Sequence, residues 1–306
     1  MEKFRYNKLN EYLKAKFGER VLKICVDGKF SCPNRDGSKG INGCLFCSRL
    51  GSGEHLNCNL SIKEQIDNYF KSYKVERANK FIVYFQSFSN TYASLDYLHK
   101  VYSQAVSGRK EIVGLQIATR PDCVTREICE LLSELNQKVS VVVELGLQTA
   151  NDKTGEIINR QYSTQDFTTA TELLAQYDIE TVAHIMVGLP GETHADVTNT
   201  ITFLNNSKIK GIKIHATYVV KGAGLELMYN EGMFIPPTQE YYMDELECIL
   251  THLRPDIVIH RLTGDPPKNL LISPEWSLKK KPILNGIEKR LKEKDLYQGI
   301  YYNPIK

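Results

Sequence analysis

Short apolar runs and amphipathic stretches alternate along most of the chain. Val21–Val26, Lys80–Phe85, Ile112–Thr119, residues 139–147, residues 179–187 and Gly211–Ala216 read as strands. The run at 139–147 is nearly unbroken, which suits a parallel strand covered on both faces. Helical periodicity fills the gaps. One helix opens at the capping box Ser61–Glu64 and runs to about Val75. Others follow Ser94 and Thr125, and two more cover Thr164–Gln176 and residues 193–205. Repeated strand–helix units imply a parallel sheet with right-handed crossovers. A closed barrel of this kind needs eight units. Six predict an α/β fold, a partial (β/α)6 TIM-like barrel open along one side, over residues 1–225. From Gly232 to Pro237 the pattern breaks. A helix at Gln239–His252, a strand at 256–260 and an amphipathic helix at 283–294 then predict a small α+β C-terminal extension, residues 226–306.

Composition narrows the class. Of 306 residues, 42% are hydrophobic and 25% charged, as in ordinary globular proteins. No apolar run is long enough for a membrane-spanning helix. The segment beginning Met1-Glu2-Lys3 is polar and lacks a signal core. Eight cysteines without an export signal point to the cytoplasm, with thiols reduced or metal-bound. Net charge is +3, yet residues 1–50 carry +6, residues 276–306 carry +5 and the middle −8. In the tail, Lys279–Lys281 and Lys289–Lys294 precede Tyr297, Tyr301 and Tyr302. Such a mixture can hold phosphates and stack bases; it is equally the outer face of an ordinary amphipathic helix.

Cys32, Cys44 and Cys47 crowd one glycine-rich loop after the first strand, eleven and two residues apart. Three readings fit. The trio can ligate a four-iron, four-sulfur (4Fe-4S) cluster that keeps one iron free. With Cys58 or His55 as a fourth ligand it can hold a structural zinc ion. The thiols can also be free and buried, the default for Cys25, Cys58, Cys123, Cys129 and Cys248.

Cys44-Leu45-Phe46-Cys47 matches the cysteine–any–aromatic–cysteine end of the motif of the radical S-adenosylmethionine superfamily. The long first spacing resembles the branch of the Elongator catalytic subunit and the YhcC/YtqA-type bacterial proteins. Thr119-Arg120-Pro121-Asp122, Glu144-Leu145-Gly146-Leu147-Gln148, Gly188-Leu189-Pro190-Gly191-Glu192 and Arg261-Leu262-Thr263-Gly264-Asp265 are similar to that branch, in the same order. The resemblance implies a 4Fe-4S cluster on Cys32, Cys44 and Cys47, and S-adenosylmethionine chelated to its open iron. One-electron reduction would then yield a 5′-deoxyadenosyl radical able to take hydrogen from an unreactive carbon.

By the same resemblance Phe46 lies beside the adenine, and Gln148 and Arg160 hold the ribose and carboxylate of S-adenosylmethionine. Arginine's planar fork suits a carboxylate. Gly188 lets backbone approach the adenine. The family's Gly-Gly-Glu turn after the second strand is missing; Gln86, Ser87 and Asn90 offer polar groups in its place. Ala118 stands where Elongator-like proteins tend to carry an acid. His184 and His215 lie in the fifth and sixth strands, His184 as a core residue and His215 as a candidate for the cavity. The implied substrate is tRNA, altered on the wobble uridine side chain from carboxymethylaminomethyl to aminomethyl. An electron donor such as flavodoxin or ferredoxin is implied as a partner. Alternatives are a radical enzyme for a small molecule and a zinc-bearing RNA-binding module.

Overall fold

Within the barrel the strands alternate in character, apolar outward and polar inward. Val83, Leu115, Ile117, Val143, Leu145, Ile185, Ile212 and Ile214 join the main apolar core under the helices. Their neighbours Tyr84, Gln116, Glu144, His184, Lys213 and His215 therefore point to the other face, as the two-residue period of a strand requires. The structure is a computed structural model that describes residues 4–304; Met1, Glu2 and Lys3 of the polar N-terminal stretch, and residues 305 and 306, lie outside the described residues.

The chain runs α1 (Leu9–Phe17), β1 (Val21–Val26), α2 (Ile62–Phe70), β2 (Lys80–Phe85), α3 (Leu95–Val106), β3 (Ile112–Thr119), α4 (Arg126–Asn136), β4 (Ser140–Gln148), α5 (Asp152–Ile157), α6 (Thr164–Gln176), β5 (Glu180–Val187), α7 (His194–Asn206) and β6 (Gly211–Ala216). It continues with β7 (Val219–Val220), α8 (Gly224–Asn230), α9 (Gln239–His252), β8 (Val258–Arg261), β9 (Leu271–Ser273) and α10 (Lys280–Glu293). Strands β1 to β6 lie side by side in chain order, and β8 pairs with β6 as a seventh parallel strand. The partial barrel is thus present, with one strand more than the six expected, contributed from beyond residue 225.

The sheet is strongly curled. Lys213 Nζ on β6 donates to the Tyr84 hydroxyl on β2 across 3.1 Å. Four strand spacings would hold them roughly 19 Å apart in a flat sheet.

At the lower end, where the strands begin, α1 spans the gap between the edge strands. Leu13 packs with Val21 and Ile82, while Asn7 O accepts from Ile259 N of β8. The open side is therefore closed from below by a helix the strand–helix rhythm does not announce. The helix expected to reach Val75 ends at Phe70, and a 3₁₀ turn follows from Tyr73. There Ser72 Oγ donates back to Tyr69 O, the local competition for backbone that ends helices.

Helix α10 packs on α9 with its cations matched to carboxylates. Lys294 meets Glu247 at 2.7 Å, Arg290 meets Asp244 at 2.5 Å and also Glu240, and Lys280 meets Asp265. Much of the basic tail is thus an ion-paired helix face. Among the described residues no helix is long and apolar enough to cross a membrane.

Candidate active site

The loops after the C-terminal ends of the strands surround a cavity of about 700 Å³, the end where barrels of this kind carry their chemistry. Cys32, Cys44 and Cys47 line it together. Their loop is stitched to the chain beyond β4: Leu45 N donates to Ile158 O, Asn159 Nδ2 to Gly43 O and Asn34 Nδ2 to Asn159 O, at 2.9, 2.7 and 2.7 Å. Arg35 turns inward and donates to the carbonyls of Cys47 and Ser48, fixing the close cysteine pair. Asn34 Nδ2 also lies 3.6 Å from Cys44 Sγ.

Burial pushes the Cys44 thiol up to about 12, with repulsion from Cys47 adding to it. Cys47 is raised by burial too. As free thiols both would keep their protons at neutral pH, and metal ligation would remove them. A single zinc ion would draw its sulfurs to about 3.8 Å of each other, given bonds of about 2.3 Å. Among the described residues, the group of three ligand atoms within 4.8 Å of one another lies elsewhere, at His194, Glu245 and Cys248 between α7 and α9. Neither His55 nor Cys58 completes a compact set with the trio; His55 lines the cavity and Cys58 is exposed. The wider spacing suits a polynuclear cluster better than one ion. Cys123 and Cys129 are buried, and Cys25 lines the cavity wall.

Deeper in the barrel sits a charged cluster. Glu144 Oε2 accepts from the Tyr84 hydroxyl and bonds His184 Nε2, each at 2.7 Å, and accepts from Lys213 Nζ as well. Lys23 Nζ stands 3.7 Å from Glu144 Oε1. Burial favours the neutral acid, but Lys213, Lys23 and His184 overcome it and hold Glu144 well below the carboxylate range. Burial lowers Lys213 to about 7, with repulsion from Lys23 and Arg261 assisting and Glu144 opposing. His184 stacks on His215 with ring centroids 5.3 Å apart. His215 is held neutral, first by burial and then by His184 and Arg261. Tyr84, Lys23 and Lys213 carry no signal in the sequence beyond polar positions inside strands.

The expected contact residues divide. Phe46, Gln86 and Gln148 line the cavity. Gln86 Nε2 donates to Ser52 O, and Gln148 Oε1 accepts from the Tyr162 hydroxyl. Ser87 and Asn90 do not line it. Asn90 is wholly buried and donates to the Phe85 and Ala118 carbonyls, tying β2 to β3. Ser87 is buried against Gly53. Phe88, at φ 59°, reverses the backbone, so Ser89 lines the wall instead.

Arg160 is also away from the cavity wall. Its guanidinium is fully buried and donates to Leu147 O, Thr149 O, Tyr162 O and Asp152. Four of its five N–H donors are thus taken by the loop it folds. Gly188, at φ 80°, faces a separate cleft, where an added Cβ would lie 2.7 Å from Pro237. Arg120 does line the cavity, held bidentate by Asp122 at 2.9 and 2.8 Å.

Residues 38–204 match the model of the radical SAM superfamily, and residues 209–293 that of the Radical_SAM C-terminal domain. The chain is 35% identical to the YtqA protein of Bacillus subtilis, over 98% of this chain and 94% of that protein. It is 30% identical to the tRNA uridine(34) acetyltransferase of Dehalococcoides mccartyi, over 51% of this chain and 34% of that one. The fold resembles the solved archaeal Elp3 of Methanocaldococcus infernus, with TM-score 0.69, 17% identity, and 91% of this chain and 64% of that one covered. The chain belongs to the radical S-adenosylmethionine superfamily. Membership implies a 4Fe-4S cluster and S-adenosylmethionine, and this site fits both. Three soft donors share one mouth, Phe46 and Phe88 supply apolar wall, and the buried Ser89 Oγ has no partner among the described residues.

Proposed function

We propose that this radical S-adenosylmethionine enzyme acts on the wobble uridine side chain of tRNA, converting carboxymethylaminomethyl to aminomethyl. The observation that carries the reading is one cavity of about 700 Å³ with three cysteines at its mouth and a hydrogen-bonded ionic cluster on its inner wall. That volume lies in the range of pockets that bury drug-sized molecules. The relative named as a tRNA uridine(34) acetyltransferase supports the choice of substrate.

Bound together, the cluster and S-adenosylmethionine would supply the radical chemistry that takes a hydrogen atom from a carbon beside the side-chain nitrogen. In this reading Cys32, Cys44 and Cys47 hold the cluster, and Phe46 flanks the adenine. Gln86, Ser89 and Gln148 offer hydrogen bonds to the polar parts of S-adenosylmethionine. Arg160 and Asn90 act at one remove, by fixing the backbone from which those groups project. Glu144 stays ionised and holds Lys213 and His184 in register beside the substrate. A flavodoxin or ferredoxin supplies the electron.

Mass spectrometry of tRNA nucleosides from cells with and without the gene tests this. Loss of the gene should accumulate carboxymethylaminomethyl-uridine at the expense of aminomethyl-derived forms. An unchanged wobble-uridine profile would reject the substrate.

A further inference from the structure

Of the charged residues lining the cavity, Arg35, Arg120, Lys213 and Arg261 are basic and Glu54, Glu144 and Asp265 acidic, with Lys23 close behind Glu144. Lys23, Lys213 and Arg261 all act on one another, and they face Glu144 and Asp265. Glu144 is already engaged by Tyr84, His184 and Lys213. Arg261 is not engaged in the same way. It lines the cavity, and its contact among the described residues is an ion pair with half-exposed Asp265, four residues along, at 3.3 Å. The contrast with the other arginines is sharp: Arg120 and Arg160 give their forks to Asp122 and to backbone carbonyls.

On the neighbouring strand, two residues past Lys213, the register partner of Arg261, His215 presents to the same cavity a buried Nε2 with no hydrogen-bond partner among the described residues. A planar guanidinium with open donors and an unpaired imidazole nitrogen in one cavity together make a receptor for a small planar anion.

We propose that Arg261 and His215 form a carboxylate subsite on the inner wall, which takes the carboxylate end of the substrate side chain. Lys213, the register partner of Arg261 on β6, stands beside it as a further hydrogen-bond donor. The assignment rests on the wobble-uridine reading for the identity of the carboxylate's carrier. The carboxylate of S-adenosylmethionine is the other possible source, and the test separates the two.

The test uses cluster-loaded enzyme as wild type, Arg261→Gln and His215→Phe, the phenylalanine preserving ring stacking on His184. Affinity is measured for an anticodon stem-loop RNA bearing 5-carboxymethylaminomethyluridine and for the same RNA as its methyl ester. Affinity for S-adenosylmethionine is measured alongside. Wild type should prefer the acid about tenfold or more, as a charge-assisted bidentate contact predicts. Arg261→Gln should erase that preference and leave ester and S-adenosylmethionine affinities unchanged; His215→Phe should reduce it.

Full acid preference in Arg261→Gln overturns the subsite. So does a fall in S-adenosylmethionine affinity with the preference intact, which would assign the contact to the cofactor. If wild type binds neither RNA, the uridine reading fails, and line broadening of carbon-13-labelled acetate decides the subsite separately. Broadening lost in Arg261→Gln supports it; equal broadening in both proteins overturns it.

Discussion

Lys213 of β6 donates to the carboxylate of Glu144 on β4 inside the barrel, with 4% and 0% of their side-chain surfaces exposed. A buried pair of this kind is costly to form and more costly to break, because removing one partner strands the other's charge. Replacing Lys213 with alanine should destabilise the protein by about 3–5 kcal/mol. Replacing Glu144 with glutamine in the same chain should restore part of that loss. Urea unfolding of the single and double variants checks both expectations.

Arg160 gives a second prediction, and it differs from the one its spacing from Gln148 invites. Arg160→Ala removes donors from the Leu147, Thr149 and Tyr162 carbonyls and leaves the loop after β4 unsupported. The expected result is a stability loss of about 2–4 kcal/mol, on the scale of buried carbonyls left without their charged donor. Arg160→Lys should recover little of it, since an ammonium cannot span the same fork. Thermal unfolding compared with S-adenosylmethionine affinity separates a frame from a direct contact. Weakened cofactor binding at unchanged stability would contradict the frame.

The third prediction concerns pH. Burial, with Asp196 and Glu245 nearby, raises Glu192 to about 7, while Thr149 and Arg160 oppose it. The folded state thus holds a proton that the unfolded state has already released, so stability falls as pH rises from about 4.5 through 7. Glu192→Gln removes this dependence. It should be more stable than wild type by about 1–2 kcal/mol at pH 8, allowing for partial exposure, and equal to it near pH 4. Parallel denaturation curves at the two pH values decide the matter.

The frame of the barrel was legible in the sequence because outward strand positions such as Val83, Leu115 and Ile214 must be apolar to sit under helices. The inner wall was not. Gly211-Ile212-Lys213-Ile214-His215-Ala216 alternates as it would with one face in water, and only the curl of the sheet turns Lys213 and His215 into an interior. The short strand expected at 256–260 is present as β8, yet its place as a seventh barrel strand depends on pairing with β6 that no local pattern announces. Helix α1 did have a readable stripe, Leu9, Tyr12, Leu13 and Phe17, that pairs with Val21 and Ile82.

At the site the three cysteines were legible by spacing, whereas side-chain direction was not. Gln148 and Arg160 frame the same loop, yet one faces the cavity and the other folds the chain. After β2 the left-handed turn at Phe88 exchanges the expected Ser87 for Ser89.

The central claim is an iron–sulfur cluster with one open iron on Cys32, Cys44 and Cys47. Mössbauer and paramagnetic-resonance spectroscopy of anaerobically prepared protein, with iron and labile sulfide counted per chain, tests it most directly. The account predicts a 4Fe-4S cluster whose spectrum shifts when S-adenosylmethionine is added, and its loss in Cys44→Ala with the fold retained. Stoichiometric zinc without labile sulfide, or full iron in Cys44→Ala, would contradict it.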